Sequence, residues 1–422
     1  MSLYLDGGIF IDPFTLEFNE SIIKVGKGES GGIEFTKTIP DGAEVLNCRD
    51  KIITRSFVNS HHHIYSTLAR GMPPPVRNPA DFFEILKFIW WKLDKSLTSE
   101  MIEISALISA IESIRNGVTF VIDHHSSPFS VKGSLLAITK AFSSAGISCL
   151  PCYEMSDRDG DKVRGNAIEE TENYLMSGKP ALTGLHASFT VSDELLGKSV
   201  KLAKKYDSGI HIHAAEDMID QKVTKKKFGR SVIQRMNDSG ILDMDKSILA
   251  HCIHIDKEER KLLKNSKAWV VQNAESNLNN GVGIFNPEGI GERVLLGTDG
   301  MNSNMINSAR SAFLSGNFSG GNSPEMIYRR LRKNHQYLRD NGFKGDGNNN
   351  LVIFDYKPPT ELTENNFCSH FIYGLKGSDV SSVISRGNIV MKEGKVLNID
   401  EKNIYSISRE LSRSLWDKMG KS

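Results

Sequence analysis

Ile52-Ile-Thr-Arg-Ser-Phe-Val-Asn-Ser-His-His-His63 runs from an apolar stretch straight into three histidines. Ile52–Val58 reads as a β-strand. Residues i and i+2 of a strand point the same way, so His61 and His63 can reach one metal ion while His62 faces away. Two imidazoles are only part of a metal site. The fold has to bring the other ligands from elsewhere in the chain.

Seven more strand candidates follow: 118–122, 147–153, 181–185, 210–213, 247–251, 268–272 and 293–296. Helical patterns lie between them, over 98–116, 132–144, 192–205 and 216–228. In the first, Met101, Ile104, Leu107, Ile108 and Ile111 recur at helical spacing. Ser192 opens the third, with Leu195 and Leu196 behind it. Eight strands with intervening helices argue for an α/β chain, a (β/α)8 barrel of TIM type rather than an open sheet. The two ends are different. Short β-type runs occupy 21–25, 33–35 and 43–46, and again 351–354, 369–373, 380–384 and 389–391, so the ends are expected to pair into one small sheet domain. Residues 401–420 read as a closing amphipathic helix.

The bulk numbers narrow the partners. The chain has 422 residues, 52 basic and 51 acidic, for a formal charge of +1. That balance speaks against nucleic acid or an anionic membrane as partner. The N-terminal residues do not read as a signal peptide, and no apolar run approaches the ~18 residues of a spanning helix. The five cysteines (Cys48, Cys149, Cys152, Cys252, Cys368) read as reduced thiols of a cytoplasmic protein. Cys149-Leu-Pro-Cys152 is a lone pair, read as buried cysteines rather than a zinc knuckle or redox site.

Active sites of such barrels gather at the C-terminal ends of the strands. The first strand runs into His61 and His63. The fifth ends in His213, with Glu216 three residues on. The sixth ends in His251, and the eighth in Asp299. His211 shares a side with His213 but lies a layer deeper, so it reads as structural. Imidazoles with one carboxylate suit a borderline divalent ion that keeps a position open for water. The ion lowers that water's pKa toward about 7. Glu216 is better placed as proton shuttle than as ligand. His251 and Asp299 are catalytic candidates that orient the hydroxide, with Asp299 also a ligand.

The order Asn59-x-His61-x-His63, His213-x-x-Glu216, Ala250-His251-Cys252, Glu275-Ser276-Asn277 and Gly297-Thr298-Asp299-Gly300 resembles the amidohydrolase superfamily. The branch it resembles is the mononuclear aminohydrolases. Further stretches, such as Cys152-Tyr-Glu-Met-Ser-Asp-Arg-Asp-Gly160 and Gly184-Leu-His-Ala-Ser-Phe-Thr190, look most like the SsnA-type aminohydrolases, also called chlorohydrolases. The resemblance implies a barrel over 53–347, a β-sandwich from 1–52 and 348–400, and a C-terminal helix over 401–422. It implies one divalent ion, zinc ahead of iron, on His61, His63, His213 and Asp299. Glu216 would be the acid/base, His251 a partner of the hydroxide, and His186 a substrate contact. The implied reaction is hydrolysis of a non-peptide C–N bond, most simply deamination of a purine- or pterin-like heterocycle. A homodimer is left open. Three departures stand out: Arg55-Ser56 where many relatives have Pro-Gly, Gln272 where they have His, and Asn349-Asn350 where they have Ala-Asp. Residues 305–347 match poorly.

On the substrate side, His125 at the end of the second strand and Arg70 in the loop after the first are candidates. A polar turn competes for His125. Arg70-Gly71 and Pro73-Pro74-Pro75 belong to a loop that could act as a lid. Trp90 and Trp91 could cap an aromatic ligand, though core packing competes. Glu154 and Arg158 could read a polar substrate edge or form an ordinary ion pair. Two alternatives remain beside deamination: a dechlorinase or cyclic-amide hydrolase, and an inactive scaffold. The fourth strand ends in Leu185-His186-Ala187 without the lysine that would bridge two metals, which favours one ion.

Overall fold

Eight parallel strands carry the site in the computed structural model, which describes residues 2–75, 77–318 and 321–421. They are β1 (Phe57–His62), β2 (Val118–His125), β3 (Ser148–Tyr153), β4 (Thr183–Ala187), β5 (Ile210–Ala214), β6 (Ile248–His251), β7 (Trp269–Gln272) and β8 (Val294–Leu296). β3-β2-β1 form one parallel sheet and β4-β5-β6-β7-β8 another. Isolated parallel bridges join His62 to Asp299 and Met155 to Leu185. Every residue of β1, β2, β4 and β5 is buried, as expected of parallel strands covered on both faces. Val58, Phe120, Ile122, Leu150, Leu182, Ile248, Val271 and Leu295 form one apolar cluster between the strands.

Helices follow the expected spans closely because their caps are local. Thr98 accepts from the Met101 amide ahead of helix Ser99–Arg115, and Ser192 from the Leu195 amide ahead of Asp193–Lys205. Residues 305–347, poorly matched in sequence, contain helices Met305–Gly316 and Pro324–Asp340. Among the described residues no helix is long and apolar enough to cross a membrane.

The first strand candidate is two strands. Ile52–Arg55 lies between Ile9–Ile11 and Leu351–Phe354 in a seven-stranded sheet built from both chain ends. Phe57–His62 leaves that sheet for the parallel one. The switch falls at Ser56, whose amide donates to the Asn350 carbonyl while the Arg332 guanidinium binds the carbonyls of Arg55 and Ser56. A second sheet, in the order Ile33–Thr36, Ile22–Val25, Leu3–Asp6, Glu44–Asn47, packs its Leu3, Leu5, Ile23 and Val25 against Ile53, Leu351, Ile353 and Ile384 of the first. Residues 369–373, expected as a strand, are helical turns: Phe371 is buried against Phe57 and Tyr328, and the His370 ring meets the Tyr356 hydroxyl at 2.9 Å.

Candidate metal centre

His61 and His63 stand at the end of β1, His213 in β5 and Asp299 just after β8. Their four donor atoms lie within 4.8 Å of one another. Nε2 of His63 is 2.9 Å from Asp299 Oδ1 and 3.1 Å from His213 Nε2, and His61 Nε2 is 3.3 Å from Asp299 Oδ1. The other nitrogen of each ring is already held. His63 Nδ1 donates to the His124 carbonyl at 2.6 Å and His213 Nδ1 to the His186 carbonyl at 2.7 Å. His61 Nδ1 meets His211 Nε2 at 2.9 Å. With their Nδ1 atoms occupied, three Nε2 atoms converge on one carboxylate, and His61 Nε2 is buried with no hydrogen-bond partner among the described residues. Three imidazoles and a carboxylate fit a borderline divalent ion, with second partners fixing each ring's tautomer and direction.

The charges agree. Burial lowers the His61 imidazole to about 3 and pushes His213 well below its usual value, so both rings are neutral, as a metal ligand must be. Burial works against Asp299, but the imidazoles of His61 and His63 beside it hold its carboxyl well below the usual range. Burial likewise opposes a charged His63, yet Asp299 outweighs it and raises that ring to about 9. Asp299 thus demands a positive neighbour. Its second oxygen accepts from the Ser276 hydroxyl.

Glu216 and His251 complete the cluster. His251 Nδ1 meets Asn277 Oδ1 at 2.8 Å, while its Nε2 has no hydrogen-bond partner among the described residues and lies 3.6 Å from Glu216 and 3.8 Å from Asp299. Burial, then the Asp299 charge, raises the Glu216 carboxyl well above its usual range. Two neighbouring carboxyls pushed in opposite directions are the mark of an acid/base pair of roles. The backbone bends to present them: Ala215, His251 and Asp299 have φ of 48°, 74° and 54°, in the left-handed region.

A cavity opens over this cluster, lined by His63, Tyr65, Trp90, Trp91, Glu154, His186, Phe189 and Glu216 among others. His186 therefore faces it, with Nδ1 bound to the Thr190 hydroxyl at 2.6 Å. His125 and Arg70 are not among the lining residues. His125 is buried behind it, with Nε2 2.8 Å from the Ser127 hydroxyl and its ring against Tyr65 and Tyr153. Arg70 is placed outside because its guanidinium pairs with Glu112 on helix Ser99–Arg115. Glu154, by contrast, is buried at the cavity wall. Burial opposes its charge, but His186, His124 and Arg158 hold it below the usual range.

Three histidines read as incidental or left unassigned support the ligands. His62 Nδ1 donates to the Asp299 carbonyl at 2.7 Å. His211 backs His61. His124 donates through Nε2 to the carbonyls of Leu185 and His211, and its Nδ1 is 3.2 Å from Glu154. The signal available was repetition: His-His or His-x-His closes three of the strands. Asp220 gave no such signal, yet it accepts from the amides of Ala215 and Phe189, fixing the turn that carries Glu216.

Residues 52–342 match the Amidohydrolase family. The chain is also 31% identical over 402 residues to a 5'-deoxyadenosine deaminase of Methanocaldococcus jannaschii, covering 90% of this chain and 92% of that protein. The chain belongs to the amidohydrolase family. Among solved structures, this amidohydrolase resembles a zinc-bound adenosine deaminase from Xanthomonas campestris (TM-score 0.84, 18% identity, 100% of this chain and 99% of that one). It also resembles guanine deaminase from E. coli (TM-score 0.78, 18% identity, 92% and 99%). Family membership makes the protein a C–N bond hydrolase of a metal-dependent kind.

Proposed function

We propose that this amidohydrolase removes the amino group of an amino-substituted purine by hydrolysis, with one ion per chain, zinc ahead of iron. The observation that carries the reading is the placement of Glu216 and the free Nε2 of His251 beside the His61–His63–His213–Asp299 set, under a cavity walled by Trp90, Trp91 and Phe189. Likeness to a 5'-deoxyadenosine deaminase supports the purine. The missing lysine at the end of β4 supports a single ion.

Bound by those four residues, a divalent ion supplies Lewis acidity and lowers the pKa of a water toward about 7. Glu216 takes a proton from the attacking water and delivers it to the ring nitrogen next to the attacked carbon. His251, whose Nδ1–H is given to Asn277 Oδ1, keeps a bare Nε2 that accepts a hydrogen bond from the attacking water. The second proton of the water passes to the amino group, which leaves as ammonia, and the ring carbon becomes a carbonyl. Trp90, Trp91 and Phe189 hold an aromatic ring and exclude water, and His186 orients it through Nε2. The substrate is a small molecule.

In the same reading the eight strands close as a (β/α)8 barrel over 53–347, supported by the two isolated bridges. The chain ends, 1–52 and 348–400, form a β-sandwich, followed by the C-terminal segment 401–422, whose helix is Glu401–Lys421. The five free thiols fit a reducing, cytoplasmic setting, and a homodimer is the assembly to test for. Ammonia release from metal-loaded protein across aminopurine, pterin and aminopyrimidine panels tests the function. Release from aminopurines is expected; silence on every amino-heterocycle overturns it.

A further inference from the structure

A second, larger recess adjoins the catalytic cavity. It encloses about 900 Å³, and Trp91 and Phe189 line both spaces, so these two rings stand between them. The recess is basic. Lys87, Lys92, Lys95, Lys227 and Arg158 line it, against one carboxylate, Asp157, which is itself paired with Arg164 at 2.6 Å. Two of these cations are already paired, Lys95 with Asp159 and Arg158 with Asp94, both at 2.7 Å, so the field offered to an anion comes from the exposed Lys87 and Lys227. Two of the lining residues also have unmet donors. Nη1 of Arg158 and Nε1 of Trp91 are buried and have no hydrogen-bond partner among the described residues. Arg158 is only 7% exposed through its side chain, pinned by Asp94 at 2.7 Å and seated over the Trp91 ring at 5.1 Å. One buried guanidinium nitrogen, Nη1, and a buried indole N–H without acceptors are costly unless an acceptor-rich group arrives.

We propose that this recess is a subsite for an anionic tail of phosphate chemistry on the substrate, whose ring occupies the cavity beyond Trp91. The proposal rests on the deaminase reading for the identity of the ring, but not for the anion. The rim lysines Lys87 and Lys227 are exposed and steer the tail, and Arg158 and Trp91 meet its oxygens.

The test pairs catalysis with direct binding. Metal-loaded protein is assayed on an aminopurine nucleoside and on its 5'-phosphate, and inorganic pyrophosphate is titrated into the protein by calorimetry. The phosphorylated substrate is expected to show the lower KM, with the advantage shrinking as salt rises. The double variant Lys87→Glu/Lys227→Glu is expected to raise KM for the phosphate ester about tenfold with kcat little changed, the order expected when charged contacts are lost. Pyrophosphate is expected to bind the wild type and not the variant. Equal or better use of the neutral nucleoside by the wild type overturns the proposal, as does a variant whose preference is unmoved. If neither the nucleoside nor its phosphate releases ammonia, the heterocycle panel decides the deaminase reading, while pyrophosphate binding still decides the subsite: no binding at millimolar concentration overturns it.

Discussion

Each histidine of the proposed metal site is steered through its second nitrogen. His63 and His213 are held by backbone carbonyls, which cannot be substituted away. His61 is held by a side chain, His211, whose own Nδ1 lies 3.7 Å from Cys152 Sγ. His211→Ala is therefore expected to weaken metal affinity about 10–100-fold, the usual cost of losing a ligand's outer partner. Chelator competition measures it, and wild-type affinity in the variant would show that the contact is only packing. Glu216→Gln is expected to keep the metal, read by elemental analysis, and to lower kcat about 10²–10⁴-fold, the contribution of a positioned acid/base. An unchanged kcat excludes Glu216 as shuttle. Residue spacing made this much legible: the pattern of His61, His63, His213, Glu216, His251 and Asp299 at strand ends was readable, and these side chains do converge. Alternation said only that His62 faces away from the ligands, not what it would touch on its other side.

Asp220 shows how a helix start can fix a strand end. Its carboxyl spans from β5's turn at Ala215 to Phe189 after β4. Burial raises it to about 7 although both amides oppose that rise. A carboxyl with a raised folded-state pKa binds its proton more tightly in the folded chain. Its contribution to stability is therefore full below about pH 4, its unfolded value, and is lost as pH climbs through 7. The urea midpoint of the wild type is expected to fall between pH 5 and pH 8 by more than that of Asp220→Asn. The variant, which turns one amide toward a donor, should be less stable at pH 5 by about 1–3 kcal/mol. Parallel curves would remove Asp220 from the account. Elements with local signals were readable to within a few residues, Asp193–Lys205 among them. Helix Pro324–Asp340 was not, because Arg330, Arg332, Asn334 and His335 are buried on it and interrupt its apolar stripe.

Those buried polar groups join the two ends of the chain to the parallel sheets, and they account for the unusual residues of this amidohydrolase. Arg55 pairs with Asp346 at 3.0 Å, and Asp346 also meets His335 at 2.8 Å. Gln272 accepts from Arg330 at 2.7 Å. Asn349 donates to the carbonyls of Gly26 and Gly28, and Asn350 accepts from the Arg386 amide. The departures from the family pattern thus have partners in this same chain, which no reading of one position could reveal. Asp346→Ala leaves the buried Arg55 unpaired and is expected to cost about 3–5 kcal/mol, seen as a lower melting temperature. A change within about 0.5 kcal/mol would mean the joint is held by packing alone.

Trp90 lies 6.0 Å, ring to ring, from His63, and against Gly300, where an added Cβ would come within 2.2 Å of the indole. Only four tryptophans are present in the chain. The molecule therefore carries its own optical gauge: indole emission from this position should report ion occupancy directly, without a label and without turnover.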